Sequence, residues 1–246
     1  RLRPDGRSEN LTVSPSLVSG RAYTLSVNGV KDKAPAANTL RAASVEFPAA
    51  TAVFRFGVGS EGTGVATLGG SDVKVTTMGQ PATATGPGGP ALAFAGSPDA
   101  LSVANAPGLN PTISMTVTAW FRPTSWSGKP RILQKGRSDS QYRLFAEDGK
   151  LQFDVAGIGA VSAPQPSLNE WHHVAATYDG AYLRIYLDGK QAGEVAASGP
   201  LPTTNGALFI GTKGTDSQSV DFFKGEIAEV TLYDDAALLP EHIQNL

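Results

Sequence analysis

Short runs of apolar residues that alternate with polar ones, separated by Gly, Pro, Asn or Asp, recur from one end of the chain to the other. Alternation with a period of two predicts β-strands, whereas apolar residues spaced for a helix are nearly absent. In residues 181–187, for instance, Leu183, Ile185 and Leu187 should face a core while the residues between them face outwards. The pattern predicts an all-β protein of antiparallel strands, with helix confined to a turn or two at residues 240–243.

Asp-Gly pairs mark the predicted turns in the middle of the chain. They occur at residues 148–149, 179–180 and 188–189, each between apolar or alternating segments. Gly supplies the positive φ that a tight two-residue hairpin requires, so each pair predicts such a hairpin.

Composition narrows the function classes. Of the 246 residues, 41% are hydrophobic, enough to form a core, and only 17% are charged, against roughly 25% in an average soluble domain. The net charge of −2 argues against a nucleic-acid partner, and the absence of cysteine removes disulfides, thiolate metal sites and cysteine nucleophiles. No apolar run approaches the ~18 residues of a membrane span. Abundant Gly, Ala, Thr and Ser with few lysines suit a secreted bacterial protein, so we expect an extracellular or cell-surface location.

The acidic residues and histidines show no catalytic pattern. Glycoside hydrolysis needs two carboxylates that flank the scissile bond, but Glu226 and Glu229 are three residues apart and should face opposite sides of a strand. His172 and His173 are adjacent and should also diverge, so they cannot share a metal ion. No Ser-His-Asp order and no phosphate-binding Gly loop stands out. We therefore expect no enzymatic activity from this chain.

An outward-facing row of aromatic and polar residues is the best candidate for a binding site. If residues 179–180 close a tight hairpin, Thr177 lies opposite Tyr182. The row then consists of Ala175 and Thr177 together with the candidate ligand-binding residues Trp171, His173, Tyr182, Arg184 and Tyr186. Aromatic faces stack on sugar rings and polar groups take hydroxyls, so the row predicts carbohydrate binding. The alternative is that loops or a flanking domain cover these aromatics. Trp126, in a loop, is a separate candidate, although an isolated loop tryptophan more often packs locally.

Several segments, in order along the chain, resemble the laminin-G-like and concanavalin A-like jelly-roll family. The central one is residues 171–180 followed by 185–190, and the others are residues 92–103, 117–123, 132–136, 209–211 and 223–233. The resemblance implies an antiparallel jelly-roll β-sandwich over residues 49–246. Because this fold hosts lectins, adhesins, hydrolases and spacers, it implies little about function.

The same resemblance raises the question of calcium. Related jelly rolls often hold one structural Ca²⁺ with loop carbonyls and a carboxylate. In the closing segment an acidic residue is commonest just before Glu229, and here that residue is Ala228. Asp99 is retained in the loop 96–99, so a structural calcium ion with Asp99 as a ligand stays open. No other cofactor is expected.

Residues 1–48 resemble a different family. The stretch 16–32 is similar to the closing half of a bacterial immunoglobulin-like repeat, and strands are predicted at residues 11–13, 23–27 and 44–47. Three short strands are too few for a stable sandwich. We expect residues 1–48 to be the C-terminal strands of an incomplete immunoglobulin-like domain, completed by the remainder of a parent polypeptide or by a partner chain.

Together these observations predict a non-catalytic accessory module of a larger secreted bacterial protein, which binds a glycan, a polysaccharide or a partner surface. Two alternatives stay open. The chain is a purely structural spacer, or it is a C-terminal fragment or subunit of a polysaccharide-degrading enzyme whose catalytic part precedes residue 1.

Overall fold

The computed structural model describes residues 22–27, 43–48, 50–55, 65–68, 71–137, 140–214, 221–244 and 246. These residues form antiparallel strands, one 3-10 turn at Pro107–Leu109 and one short helix, α1, at Pro240–Ile243. The strands are β1 (Ala22–Val27), β2 (Ala43–Pro48), β3 (Ala52–Arg55), β4 (Val65–Leu68), β5 (Ser71–Val73), β6 (Val75–Met78), β7 (Ala82–Gly86), β8 (Gly89–Ala95), β9 (Ala100–Val103), β10 (Met115–Ser125), β11 (Arg131–Lys135), β12 (Tyr142–Glu147), β13 (Lys150–Val155), β14 (Gly159–Pro164), β15 (His172–Tyr178), β16 (Tyr182–Leu187), β17 (Lys190–Ala196), β18 (Leu208–Ile210) and β19 (Lys224–Asp234).

Two large antiparallel sheets contain nearly all of these strands. The larger sheet has the order β17-β16-β15-β10-β19-β3-β4-β5, with β8 also paired to β19 and β7 paired to β8. The smaller sheet has the order β14-β13-β12-β11-β18-β9-β6. Consecutive strands form meanders in both sheets, whereas pairs such as β10 with β19 and β11 with β18 join distant parts of the sequence, as in a jelly roll. The predicted all-β, antiparallel sandwich is therefore confirmed.

The inner faces of the two sheets form one apolar core. Leu183 and Ile185 are completely buried in it, and Leu187 packs against its margin, as the alternation predicted. The facing sheet contributes residues such as Leu144 and Phe153, which are equally inaccessible to solvent. Because side chains alternate along each strand, the residues between these positions point to the outer faces.

Two of the three Asp-Gly pairs form the predicted two-residue hairpins. At residues 148–149 and 188–189 both members have positive φ, and the flanking residues pair directly. The prediction is wrong for Asp179-Gly180, since Thr177 pairs with Arg184 and not with Tyr182. The Asp179 carboxylate accepts the backbone N–H groups of Ala181 and Tyr182, which closes a longer loop. The register slips by two residues, so each side chain keeps its predicted face.

The C-terminal segment lies on the outer face of the larger sheet. Thr116 on β10 donates to the carbonyl of Ala236 and accepts from the N–H of Leu238, which fixes the segment to the sheet. Leu238 and Ile243 then form a second buried apolar cluster with outer-face residues, namely Ala175, Tyr186 and Tyr233. The part of the outer face around Ala175 and Tyr186 is thereby covered.

The N-terminal strands stand apart from both large sheets. β1 and β2 pair only with each other within the described residues, from Ala22 opposite Pro48 to Val27 opposite Ala43. They coincide with the predicted strands at 23–27 and 44–47, whereas the predicted strand at 11–13 lies outside the described residues. The immunoglobulin-like origin of residues 1–48 stays a prediction.

Candidate functional site

A β-bulge in β19 shapes the uncovered part of the larger sheet's outer face. Ala119 pairs with Val230 and Phe121 with Ile227, so Ala228 and Glu229 together lie opposite Trp120. A bulge of this type inserts one extra residue into one strand. The core positions Ile227 and Val230 are consequently three residues apart.

The bulge overturns the expectation that Glu226 and Glu229 face opposite sides. The extra residue shifts the alternation of side chains by one position, so the carboxylates of Glu226 and Glu229 both lie on the outer face. Glu226 is paired with Arg122, and Glu229 accepts a hydrogen bond from Thr231 Oγ1 at 3.4 Å.

Arg122 and Glu226 form a two-bond ion pair across β10 and β19. Arg122 Nε donates to Glu226 Oε2 at 2.8 Å and Arg122 Nη2 to Glu226 Oε1 at 2.5 Å. The Glu226 hydrogen bonds raise the pKa of Arg122. The Arg122 guanidinium also lies 5.9 Å from the ring centroid of Trp171, a cation–π distance. One strand end thus combines an indole with a fixed charge pair.

Trp120 and His173 form the adjacent row, with Trp120 two residues before Arg122 on β10. They are direct partners across β10 and β15, and their ring centroids are 5.0 Å apart. Burial lowers the pKa of His173 to about 4, partly opposed by the Asp188 carboxylate, so the imidazole is neutral at pH 7. We call Trp120, Arg122, Trp171, His173 and Glu226 the outer-face patch.

The hairpin between β7 and β8 borders the outer-face patch. Gly86, at its tip, comes so close to Trp171 and Ala228 that a Cβ there would meet Trp171 Cη2 at 3.0 Å and the Ala228 Cβ at 2.7 Å. Only glycine fits this approach without movement. Trp171 directly precedes β15, the neighbour of β10. Its side chain extends across the sheet towards Ala228 on β19 and is partly exposed.

The predicted row of ligand-binding residues divides between this patch and the covered part of the face. Trp171 and His173 belong to the patch, although His173 itself is buried. The expectation that Tyr186 lies open at the surface is wrong, because Leu238 and Ile243 cover it and leave it 2% exposed. For Tyr186 the alternative, that loops or a flanking domain cover the aromatics, is thus the better description, with the C-terminal segment as the cover.

Tyr182 and Arg184 lie beyond the covered region, near the sheet edge formed by β17. Tyr182 is 39% exposed, with the Arg184 guanidinium 4.7 Å from its ring centroid. Arg184 forms ion pairs with both Asp179 and Glu194. The structure therefore does not bring these two residues together with Trp171.

Trp126 packs at the margin of the core. Its Nε1 donates to the Pro166 carbonyl at 3.0 Å, and its ring contacts Phe121 and Phe223 edge-on. These contacts give it a packing role, the simpler of the two roles considered for a loop tryptophan.

Asp99 holds two chain segments together. It is 6% exposed, and its two oxygens accept the backbone N–H groups of Gln80 and Ala95 at 2.9 and 2.8 Å. These bonds account for the burial of the carboxylate without a cation. Among the described residues, no three His, Cys, Asp or Glu side chains come together as a metal-binding group. A calcium ion at Asp99 stays a prediction.

A hydrogen-bonded Ser-His-Asp chain, which sequence reasoning missed, lies at one end of β15. His172 Nε2 is 3.0 Å from Ser167 Oγ and His172 Nδ1 is 3.0 Å from Asp188 Oδ2. Ser167 Oγ is also hydrogen-bonded to the Glu170 carboxylate, which can only accept. A nucleophilic serine would have to pass its hydroxyl proton to His172, but Ser167 has only one such proton and Glu170 competes for it.

Sequence reasoning also missed Trp120 and Arg122 as members of the site. A signal was present, since Val117, Ala119 and Phe121 are core residues and the alternation assigns Trp120 and Arg122 to the outer face. The pairing of Arg122 with Glu226 depends on strands 104 residues apart and on a bulge, which no local pattern reveals.

Comparisons with solved structures agree with this fold. The binding domain of Paraclostridial Mosquitocidal Protein 1 superposes with a TM-score of 0.64 and 13% identity, over 79% of this chain and 51% of that one. Domain 4 of AbnA, a GH43 extracellular arabinanase from Geobacillus stearothermophilus, was solved in complex with arabinotriose. It superposes with a TM-score of 0.54 and 18% identity, over 71% of this chain and 87% of that one. A third structure is of botulinum neurotoxin type C, a toxin whose cell entry depends on interaction with two ganglioside molecules. It superposes with a TM-score of 0.61 and 15% identity, over 78% of this chain and 49% of that one.

The chain spans about half the length of the two toxin structures. No curated protein sequence matches it. None of the described helices is long and apolar enough to cross a membrane. At the level of the family, however, the assignment is direct: residues 95–244 match the model of the concanavalin A-like lectin/glucanases superfamily, and the chain belongs to that superfamily.

Proposed function

We propose that this chain is a non-catalytic module that binds carbohydrate on the outer-face patch. The observation that supports it most is the combination of two partly exposed tryptophans with a fixed Arg122–Glu226 pair on one sheet face. Indole faces stack on the C–H faces of sugar rings, and fixed polar groups orient hydroxyls. Structural relatives include a domain solved with arabinotriose and a toxin that interacts with gangliosides, which supports the same class of ligand.

Ligand binding is favoured over glycoside hydrolysis at this patch. A hydrolase needs one carboxyl group that protonates the leaving group and a second that acts as base or nucleophile. Both carboxylate oxygens of Glu226 accept hydrogen bonds from Arg122, so neither is free to contact a leaving group. We infer that the carboxylates orient a ligand.

We further propose that the module belongs to a larger secreted or cell-surface bacterial protein. The separate β1–β2 pair supports an N-terminal neighbour, the rest of an immunoglobulin-like domain supplied by the parent polypeptide or a partner chain. A purely structural spacer and a subunit of a polysaccharide-degrading enzyme are the competing proposals. A structural calcium ion at Asp99 is a separate proposal, tested by melting curves with and without EDTA.

The test of the proposed function is a glycan array followed by titration of the best ligand. Trp120→Ala should weaken binding about tenfold or more, since aromatic anchors at interfaces carry a large share of the binding energy. Tyr182→Ala is the matched control, because it removes an exposed outer-face aromatic away from the patch. Equal effects of the two variants would place the site elsewhere, and no binding by the wild type would favour the spacer.

A further inference from the structure

We propose that the outer-face patch accepts an internal stretch of an uncharged glycan chain and discriminates against glycans that carry carboxylates. This inference rests on the proposed function and adds the class of ligand. It follows from the way the charges of the patch are already paired and from the spacing of its two tryptophans.

Arg122, the cation beside Trp171, is already paired with the carboxylate of Glu226. Arg122 gives two of its five N–H donors to Glu226, whose side chain is only 15% exposed. A ligand carboxylate would have to use the remaining N–H groups with Glu226 still in place, where the charge of Glu226 already offsets that of Arg122 and repels a second carboxylate. A sugar hydroxyl, in contrast, can accept from the remaining N–H groups while the pair stays intact. The pair therefore favours uncharged donors and acceptors on the ligand.

Among the described side chains, β10, β15 and β19 provide no surplus of positive charge around the patch. His173 is neutral at pH 7, because burial lowers its pKa to about 4. Along β10 and β19 the two cations, Arg122 and Lys224, are outnumbered by three carboxylates, those of Glu226, Glu229 and Asp234. A polyanion therefore gains no net Coulombic attraction at this face.

The two tryptophans lie in successive rows of the sheet. Trp171 lies beside Arg122, and Trp120 is two residues before Arg122 on β10. Two residues of a strand separate the backbone positions of these rows by roughly 6.6–6.8 Å. In the part of the chain that the structure describes, the floor is a sheet face bordered by the Gly86 hairpin and by the C-terminal segment at Leu238. A ligand that uses both indoles spans at least two sugar units.

The experiment compares glycans that differ only in charge. Array ligands are tested with and without their sialic acids, and polygalacturonate is titrated before and after methyl esterification. We expect the neutral member of each binding pair to bind about tenfold or more tightly, with affinity that rises from the monosaccharide to the trisaccharide. In Glu226→Gln, which frees Arg122, we expect discrimination against the acidic member to fall by about tenfold. Glu194→Gln is the matched control, because Arg184 retains Asp179 and lies outside the patch.

The outcomes separate this inference from the function on which it rests. Tighter binding of the acidic members, or an unchanged preference in Glu226→Gln, overturns the charge argument and leaves carbohydrate binding in place. Equal affinity for monosaccharides and trisaccharides overturns the internal-chain argument. If neither member of any pair binds, the proposed function itself fails. A circular dichroism spectrum of each variant shows that it is folded.

Discussion

Trp171 lies so close to Gly86 that a Cβ at residue 86 would be 3.0 Å from Trp171 Cη2. The contact joins the start of β15 to the tip of the β7–β8 hairpin, two elements that are not neighbours in the sheet. Distances below 3.4 Å are tighter than ordinary Cβ contacts, so this close approach leaves no room for a side chain at residue 86 unless the indole or Ala228 moves. Gly86 is thus a positioning residue for the outer-face patch.

Gly86→Ala should displace Trp171 and weaken glycan binding without unfolding the sandwich. The added methyl group must push either the indole or Ala228, and neither lies in the centre of the core. We expect a shift of the tryptophan fluorescence maximum and an affinity loss of about threefold to tenfold, within the range of misplaced binding groups. Thr85→Ala, an exposed change on the same hairpin, should alter neither. Wild-type fluorescence and affinity in Gly86→Ala would show that the contact does not position Trp171.

Tyr186→Ala should destabilise the fold strongly, and Tyr182→Ala should not. Tyr186 is 2% exposed beneath Leu238 and Ile243, so its truncation leaves a cavity and should cost roughly 3–5 kcal/mol. Tyr182 is 39% exposed, and its removal should change the free energy of unfolding by about 0.5 kcal/mol or less. Urea unfolding of both variants measures the difference. Equal stability would mean that the C-terminal segment does not cover Tyr186 in solution.

The sequence was sufficient for the strands and their faces but not for what lies on each face. Alternation placed Leu183 and Ile185 in the core, because side-chain direction along a strand is a local property. The covering of Tyr186 depends on Leu238 and Ile243, about 50 residues later, and on the Thr116 bonds that hold them. Burial of an outer-face residue is a tertiary property that strand periodicity does not encode.

Registers and bulges limited the prediction of the site in the same way. The hairpin at Asp179 is longer than expected because the Asp179 side chain binds two backbone N–H groups of the loop. Glu226 and Glu229 share a face because one extra residue is inserted opposite Trp120. The Asp179 loop leaves the apolar pattern of its two strands unchanged, and the only trace of the bulge in that pattern is the spacing of three between the core residues Ile227 and Val230.

Removal of residues 1–47 should leave the sandwich folded. β1 and β2 pair only with each other in the described part of the chain, and the sheets of the sandwich begin at Ala52. We expect the melting temperature of the shortened protein to stay within about 2 °C of the full chain, because no sheet hydrogen bond to the sandwich is lost. A drop of about 10 °C or more would show that residues 1–47 are part of the sandwich domain.

His173 should make stability fall as the pH falls from about 6.5 to 4. Its pKa is lowered to about 4 in the folded protein, whereas an unfolded histidine titrates near 6.5. In this window the unfolded state binds more protons, so the free energy of unfolding decreases with decreasing pH. The full difference corresponds to a loss on the order of 3 kcal/mol, approached near pH 4 and absent above about pH 7.

The measurement is a difference between two proteins, because another group opposes His173 in the same window. Burial and the neighbouring Asp235 raise the pKa of Asp234 to about 6, so protonation of this partly exposed carboxyl stabilises the folded state as the pH falls. Asp179 and Asp235 have pKa values lowered from 3.8 and titrate below the window. His173→Phe keeps a ring against Trp120 and removes only the titration at this position. Urea unfolding from pH 7.5 to 4.5 should therefore show the wild type losing stability relative to His173→Phe, and parallel curves would mean that His173 is not held neutral by burial.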